Sequence, residues 1–149
     1  MTAIPHSETG SLSQAHSGPV YSAYRILQVA FVVAPIIAGI DKFTDRLVNW
    51  DMYLAPVVSR IIGGHDHVFM MVAGVIEIVA GILVALKPRF FAFVVAAWLL
   101  GIIVNLLLCA TFFDIALRDL GLCLGACALG LLAQLYDRGP VGGLMTRRM

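Results

Sequence analysis

One acidic residue, Glu77, interrupts a membrane-length apolar run at residues 68–86. At about 1.5 Å of helical rise per residue, this run matches the hydrocarbon thickness of a bilayer, which is about 30 Å. Glu77 then lies roughly 15 Å below the start of the helix, near the middle of the membrane. Because a bare carboxylate at that depth costs roughly 3 kcal/mol or more, we expect Glu77 to be protonated or paired.

Small residues surround Glu77 on one helical face, with Ala73 and Gly74 one turn before it and Ala80 and Gly81 one turn after it. Small residues at this spacing allow helices in a membrane to approach closely, so Glu77 is predicted to face protein and not lipid. Two interpretations follow. Glu77 is a ligand for a proton or a quinone headgroup, or it is a hydrogen-bonded packing residue.

Asp66 precedes Glu77 by eleven residues and therefore projects from almost the same side of the helix. Together with His67, these acids could form a polar track that runs inward from the outer surface. The alternative is that Asp66 and His67 are ordinary interfacial residues. His65 and His67 are two residues apart and have no evident third ligand, so no metal site is predicted.

Asn105 is the main polar residue of the third apolar run and shares a helical face with Trp98, Gly101 and Cys109. An amide inside a membrane bundle cross-links helices through hydrogen bonds or, alternatively, binds a quinone carbonyl. Lys42, at the end of the first run, is a second candidate for holding such a headgroup.

In the fourth run, Asp114 and Arg118 have the i to i+4 spacing of a helical ion pair, and Arg118 could alternatively reach an anionic ligand. Gly121 and Gly125 form a GxxxG pattern that is typical of helix packing. With Gly74 and Gly81, they are the four glycines predicted at helix contacts.

The three cysteines, Cys109, Cys123 and Cys127, all lie in apolar runs. Cys123 and Cys127 are one helical turn apart, an arrangement that gives poor disulfide geometry. We therefore interpret the cysteines as small buried hydrophobic residues and not as a dithiol relay.

The composition indicates a membrane protein. Of 149 residues, 60% are hydrophobic and 13% are charged, which is too apolar for an ordinary soluble domain. The net charge is +1 and no basic stripe is interleaved with aromatic residues, so nucleic acid is not a predicted partner. The lipid bilayer is the first predicted partner.

The predicted fold is all-α, an integral membrane four-helix bundle with an amphipathic interfacial segment between spans one and two. Trp50 and Tyr53 stand beside charges in that segment, as expected at a membrane interface. The predicted parts are a polar flexible tail at 1–20, a four-span domain at 21–137 with spans at 21–43, 67–86, 89–112 and 114–136, and a short basic tail at 138–149.

The positive charges of the short loops favour both termini in the cytoplasm, because basic residues concentrate on the cytoplasmic side. Six basic residues then lie inside and four outside. The inner set is Arg25, Lys87, Arg89, Arg138, Arg147 and Arg148, and the outer set is Lys42, Arg46, Arg60 and Arg118.

Four short patterns resemble the DoxX-like family of four-span bacterial membrane proteins, which includes the DoxX, DoxD and MauE groups. They are Arg25 at the start of the first span, GIDKF at 39–43, Trp50 followed by YLAP at 53–56, and GVIEIVAG at 74–81. The resemblance covers about residues 25–136. It implies a bacterial inner-membrane bundle, with some members in quinone-linked oxidoreductases and others beside thiol-redox proteins. The chain has no CxxC, unlike a thiol-exchange protein.

The leading functional hypothesis is an accessory or structural subunit of a membrane redox or respiratory complex, with no catalytic activity and no cofactor of its own. Its partners would be other membrane or periplasmic subunits. The alternative is a quinone-reactive oxidoreductase subunit, in which Glu77 takes the proton and Asn105 or Lys42 holds the headgroup. A third hypothesis is a small-molecule or proton transporter, although four short spans without broken helices are atypical of one.

Overall fold

The computed structural model describes residues 18–136, which are helical apart from short connections and contain no strand. The predicted basic tail at 138–149 lies outside the described residues, and so does the predicted polar tail up to residue 17. In order, the elements are α1 (Pro19–Asp41), a 3-10 helix (Trp50–Tyr53), α2 (Pro56–Ile61), α3 (Asp66–Leu86), α4 (Pro88–Cys109) and α5 (Phe113–Tyr136).

Four of these helices, α1, α3, α4 and α5, are long and apolar enough to cross a membrane, with mean hydropathies of 1.8 to 2.6. In their most apolar windows only 17% to 33% of residues are buried inside the bundle, so most of the apolar side chains face outward. A soluble protein would not expose such a surface, and a bilayer covers it. The chain is therefore an integral membrane protein, and the predicted four-helix bundle is confirmed.

The helices pack as two intimate pairs, α1 with α3 and α4 with α5, and the pairs meet less extensively. Only Lys87 separates α3 from α4, and Pro88 begins the next helix because its fixed φ suits a first turn. We call the end of the bundle that carries residues 42–65 the cap end. At the opposite end the rings of Tyr24 and Tyr136 stack, with centroids 5.4 Å apart.

Glycines set the distance between α1 and α3. A Cβ at Gly39 would lie 2.5 Å from the carbonyl oxygen of Gly74, and a Cβ at Gly74 would lie 2.6 Å from that of Gly39. Farther from the cap, a Cβ at Gly81 would lie 2.7 Å from the Val32 oxygen. The two backbones therefore touch at two levels, as small residues permit in membrane bundles.

The glycines of α5 differ from each other. Gly125 packs against the Phe31 ring, which would lie 3.2 Å from a Cβ at that position. Gly121 is exposed, and nothing lies within 4 Å of the position its Cβ would take. Gly121 and Gly125 therefore do not form the continuous packing surface that the GxxxG pattern predicts, because Gly121 points away from the neighbouring helices.

Small side chains dominate the buried core between the helices. Ala92, Ala126, Leu129 and Ala133 have no exposed surface, and the partly buried Cys127 packs against them. Because alanines keep helix axes close, little room remains inside the bundle for a ligand.

Candidate functional site

The polar centre of the bundle is an ion pair between Lys42 and Glu77. The Lys42 Nζ lies 2.7 Å from the Glu77 Oε2. Only 5% of Lys42 and 8% of Glu77 is exposed. The charge of the intramembrane acid is thus neutralised within the protein, and both residues are hidden from lipid.

The glycine contact explains why these two residues meet. Lys42 follows the end of α1, one turn beyond Gly39, and its Cβ would lie 3.1 Å from a Cβ at Gly74. The aliphatic stem of Lys42 therefore passes directly over Gly74. Glu77 lies one turn farther along α3 from Gly74, so the ammonium reaches it only by extending past the glycine.

Trp50 covers the other side of the ammonium. Its ring centroid is 3.6 Å from the Lys42 Nζ, which is within the range of a cation–π interaction. The Trp50 Nε1 donates a hydrogen bond of 2.8 Å to Asp41 Oδ2. The 3-10 helix thus closes the ion pair from the cap end.

Asp41 organises the connection that carries Trp50. Its carboxylate accepts hydrogen bonds from the backbone N–H groups of Arg46, at 3.1 Å, and Leu47, at 3.0 Å, and from the Thr44 hydroxyl at 3.3 Å. With Trp50, four residues donate to this one side chain. Our sequence-based site omits Asp41, although an acid at a helix end before a polar segment is the pattern expected for capturing loop N–H groups.

Asn105 fastens the cap to α4. Its Nδ2 donates to the carbonyl oxygen of Tyr53 at 2.6 Å, and its Oδ1 accepts from the backbone N–H of Ala55 at 2.9 Å. The Cys109 thiol, one turn later, lies 3.5 Å from the same Tyr53 oxygen. The amide therefore serves as a cross-link, and its partner is the cap backbone and not another long helix.

Replacing Asn105 with alanine should loosen the cap without unfolding the bundle. The backbone N–H of buried Ala55 and the carbonyl of half-buried Tyr53 lose their partners, which costs about 1 to 3 kcal/mol. Hydrogen–deuterium exchange should become faster at residues 50–62 and stay unchanged in α5. Asn49→Ala is the matched control, because Asn49 is exposed and bonds only locally to the Asp51 N–H. Equal effects of the two variants would contradict the assigned role of Asn105.

Asp66 and His67 do not continue the polar centre toward the cap end. Asp66 accepts a hydrogen bond of 3.0 Å from the Ser59 hydroxyl, and His67 is exposed with its Nδ1 3.5 Å from Asp51 Oδ2. Between Asp66 and Glu77, the same side of α3 is filled by Met70 and Ala73, both buried. The polar track that the spacing predicts is therefore interrupted by apolar side chains.

Arg118 is likewise not part of the polar centre. It is exposed near the start of α5, and its guanidinium forms no ion pair with Asp114, which is exposed as well. The predicted i to i+4 pair is therefore not formed. Such surface pairs contribute little, so solvent competes effectively with them.

Asp119 of α5 is half-buried, although it is absent from our sequence-based site. It lies four residues before Cys123 and seven before Ala126, both buried, so it faces the interior of the bundle. The sequence signal for Asp119 is its helical spacing, which places it on the same face of α5 as Cys123 and Ala126.

Two surface grooves, of about 390 and 340 Å³, lie elsewhere. Neither is lined by Lys42, Glu77 or Asn105. One lies along α1 around Val29, and the other lies between α3 and α4 beside Trp98. Both are lined almost entirely by apolar atoms.

The cysteines behave as packing residues. All three are free thiols, and the Cys123 thiol donates to the Ala96 carbonyl at 3.4 Å. Among residues 18–136, no group of three or more His, Cys, Asp or Glu side chains is arranged to hold a metal ion.

Comparisons with protein-family models, curated proteins and solved structures each found no match. The resemblance to the DoxX-like family therefore remains a prediction from the short patterns. The geometry itself shows a closed Lys42–Glu77 ion pair, a cap held by Asn105, and a half-buried carboxyl group at Asp119 of α5.

Proposed function

We propose that the protein is a non-catalytic membrane subunit of the DoxX-like type, which works inside a larger redox or respiratory complex of the bacterial inner membrane. The Lys42–Glu77 pair carries this proposal. A catalytic acid needs a free face toward its substrate, whereas Glu77 is bonded to Lys42 at 2.7 Å and the pair lies under Trp50. Lys42 and Glu77, the polar groups nearest the centre of the bundle, therefore stabilise the fold.

The cap supports contact with a partner. It presents apolar side chains beside charged ones, with Ile61 80% exposed next to Arg60 and Leu47 70% exposed next to Arg46. Such mixed surfaces suit either a membrane interface or a protein neighbour. The redox character of that neighbour rests on the DoxX-like resemblance alone.

The proposed orientation of the protein in the membrane follows from the positions of its basic residues. Both termini would be cytoplasmic, since six of the ten basic residues then lie inside. The cap would face the periplasm, where a periplasmic or membrane subunit could bind it.

Purification in a mild detergent tests the proposal. The tagged protein should co-elute with other membrane or periplasmic chains in a fixed ratio, and mass spectrometry of the peak should include at least one cofactor-bearing oxidoreductase subunit. The test variant is Ile61→Glu, which changes an exposed side chain of the cap. This variant should fold normally and lose the partner chains. A lone, monodisperse species for the unmodified protein would contradict the proposal.

Glu77→Gln separates this function from that of a quinone-reactive subunit. In an accessory subunit the variant should weaken the bundle and the assembly together, because Lys42 loses its counter-charge. In a quinone-reactive subunit it should abolish quinone-linked turnover while the assembly stays intact. Turnover and subunit ratio measured on the same purified complex distinguish these outcomes.

A further inference from the structure

Arg25 is a charged residue on the outer surface of α1. It is exposed, and among residues 18–136 its guanidinium forms no ion pair. Its Nη1 donates a hydrogen bond of 2.8 Å to the Gln28 Oε1. Because Gln28 is buried in the bundle, this bond holds the guanidinium beside the helix. A guanidinium carries more donors than this bond uses, in a planar fork that fits a phosphate group.

The contact between α1 and α3 gives the depth of Arg25 in the membrane. The two helices run in opposite directions, with Gly39 beside Gly74 and Val32 beside Gly81. The same register, continued by an equal step, places Arg25 level with the link between α3 and α4. A link between two spans lies at the membrane surface, so Arg25 lies at the level of the lipid headgroups.

A groove leads from Arg25 toward the middle of the membrane. Its volume is about 390 Å³, and it is lined by apolar atoms of Arg25, Ile26, Val29 and Ala30. The last three residues follow Arg25 along α1, so the groove lies deeper in the membrane than the guanidinium. Ile26, Val29 and Ala30 are all exposed, and the small Ala30 leaves room between its neighbours. A positive group thus stands at headgroup level above an apolar groove.

The charges at this end of the bundle favour an anionic ligand. The described charged residues here are Arg25, Lys87 and Arg89, and all three are exposed. The described acids lie in the half of the bundle nearer the cap or, like Glu77, near its middle. Basic residues at the membrane surface attract anionic lipids, whereas a zwitterionic headgroup carries its own cation.

We propose that Arg25 and the groove beside it bind one anionic phospholipid. The phosphate group of the lipid accepts hydrogen bonds from the guanidinium and supplies the counter-charge that the described residues lack. One acyl chain lies along Ile26, Val29 and Ala30. The inference does not depend on the proposed function, and it holds whichever side of the membrane the cap faces.

Native mass spectrometry of the full chain, released from detergent micelles, tests this site. The micelles contain equal amounts of phosphatidylglycerol and phosphatidylcholine with identical oleoyl chains. The unmodified protein should retain one phosphatidylglycerol about fivefold more often than one phosphatidylcholine. Arg25→Gln should retain the two lipids equally, because the counter-charge for the phosphate is then missing.

Two further variants separate the site from a general attraction to the basic end. Arg89→Gln is the matched control, because Arg89 is exposed at the same end but does not line the groove. This variant should keep the preference for phosphatidylglycerol. Ala30→Phe fills the groove without changing the charge, and Ala30 is exposed, so the variant should fold. It should retain less phosphatidylglycerol than the unmodified protein.

Several results would overturn the proposal. They are equal retention of the two lipids by the unmodified protein, a preference that survives Arg25→Gln, and equal losses in Arg25→Gln and Arg89→Gln. Undiminished retention in Ala30→Phe would also contradict it, and this variant decides the question if Arg25→Gln does not fold. A lipid-free dimer that dissociates in Ala30→Phe would assign the groove to a second copy of the chain instead.

Discussion

Lys42→Met should lower the free energy of unfolding by about 3 to 5 kcal/mol, the cost of leaving one member of a buried ion pair alone. Methionine replaces most of the apolar stem that passes over Gly74, so the loss comes mainly from the charge. Glu77, with 8% of its surface exposed, then has no counter-charge, and the Trp50 ring loses its cation. Equilibrium unfolding in mixed micelles, followed by circular dichroism, measures the difference.

Lys87→Met is the matched control. Lys87 is an exposed lysine in the one-residue link between α3 and α4. Removing its charge should change stability by no more than about 0.5 kcal/mol, as is usual for surface substitutions. Equal losses of unfolding free energy in Lys42→Met and Lys87→Met would show that the buried ion pair does not stabilise the bundle.

Gly74→Ala should also destabilise the bundle strongly, by about 2 to 3 kcal/mol, because overpacking forces backbones apart. The new methyl group would lie 2.6 Å from the Gly39 oxygen and 3.1 Å from the Lys42 Cβ. Neither neighbour is the free end of a flexible side chain, so α1 and α3 must separate. The same separation lengthens the path that the Lys42 stem must span to reach Glu77.

Gly121→Ala provides the comparison for that prediction. Gly121 also lies in a membrane helix, but nothing lies within 4 Å of its Cβ position. Alanine has the higher helix propensity, so this variant should be as stable as the unmodified protein or more stable by up to about 1 kcal/mol. Unfolding both glycine variants under one set of conditions measures the contrast, and a Gly121→Ala variant as unstable as Gly74→Ala would contradict it.

The membrane helices could be predicted from the sequence because hydropathy is a local property. The long helices begin and end within about three residues of the predicted spans, and α4 stops at Cys109 where Ala110 takes a left-handed conformation. The predicted span runs on to residue 112 because Ala110 carries no hydropathy signal for a helix end.

The interaction partners of the polar residues were harder to predict from the sequence than the helices were. The sequence indicates that Glu77 must be paired or protonated, but Lys42 lies 35 positions away. The close backbone contacts at Gly74 and Gly81 fix the register of α1 against α3 that brings the two residues together. For Asn105 the predicted cross-link is present, yet its partner is the backbone of the cap.

Two further features depend on the arrangement of several elements. Asp41 and Asp119 resemble ordinary acids near helix ends until the cap and the neighbouring helices are placed around them. Conversely, Asp66 shares the helical phase of Glu77, but burial of Met70 between them separates the two acids. Helical phase alone predicts the direction of a side chain and not what fills the space in front of it.

A double-mutant cycle on Lys42→Met and Glu77→Leu tests most directly the central claim, that the intramembrane charges stabilise the bundle as a pair. Each single variant should lose about 3 to 5 kcal/mol, and the double variant should lose less than either one, because no unpaired charge then remains in the pair. This outcome corresponds to a coupling energy of at least about 3 kcal/mol. Additive losses, with the double variant near the sum of the two single ones, would contradict the claim.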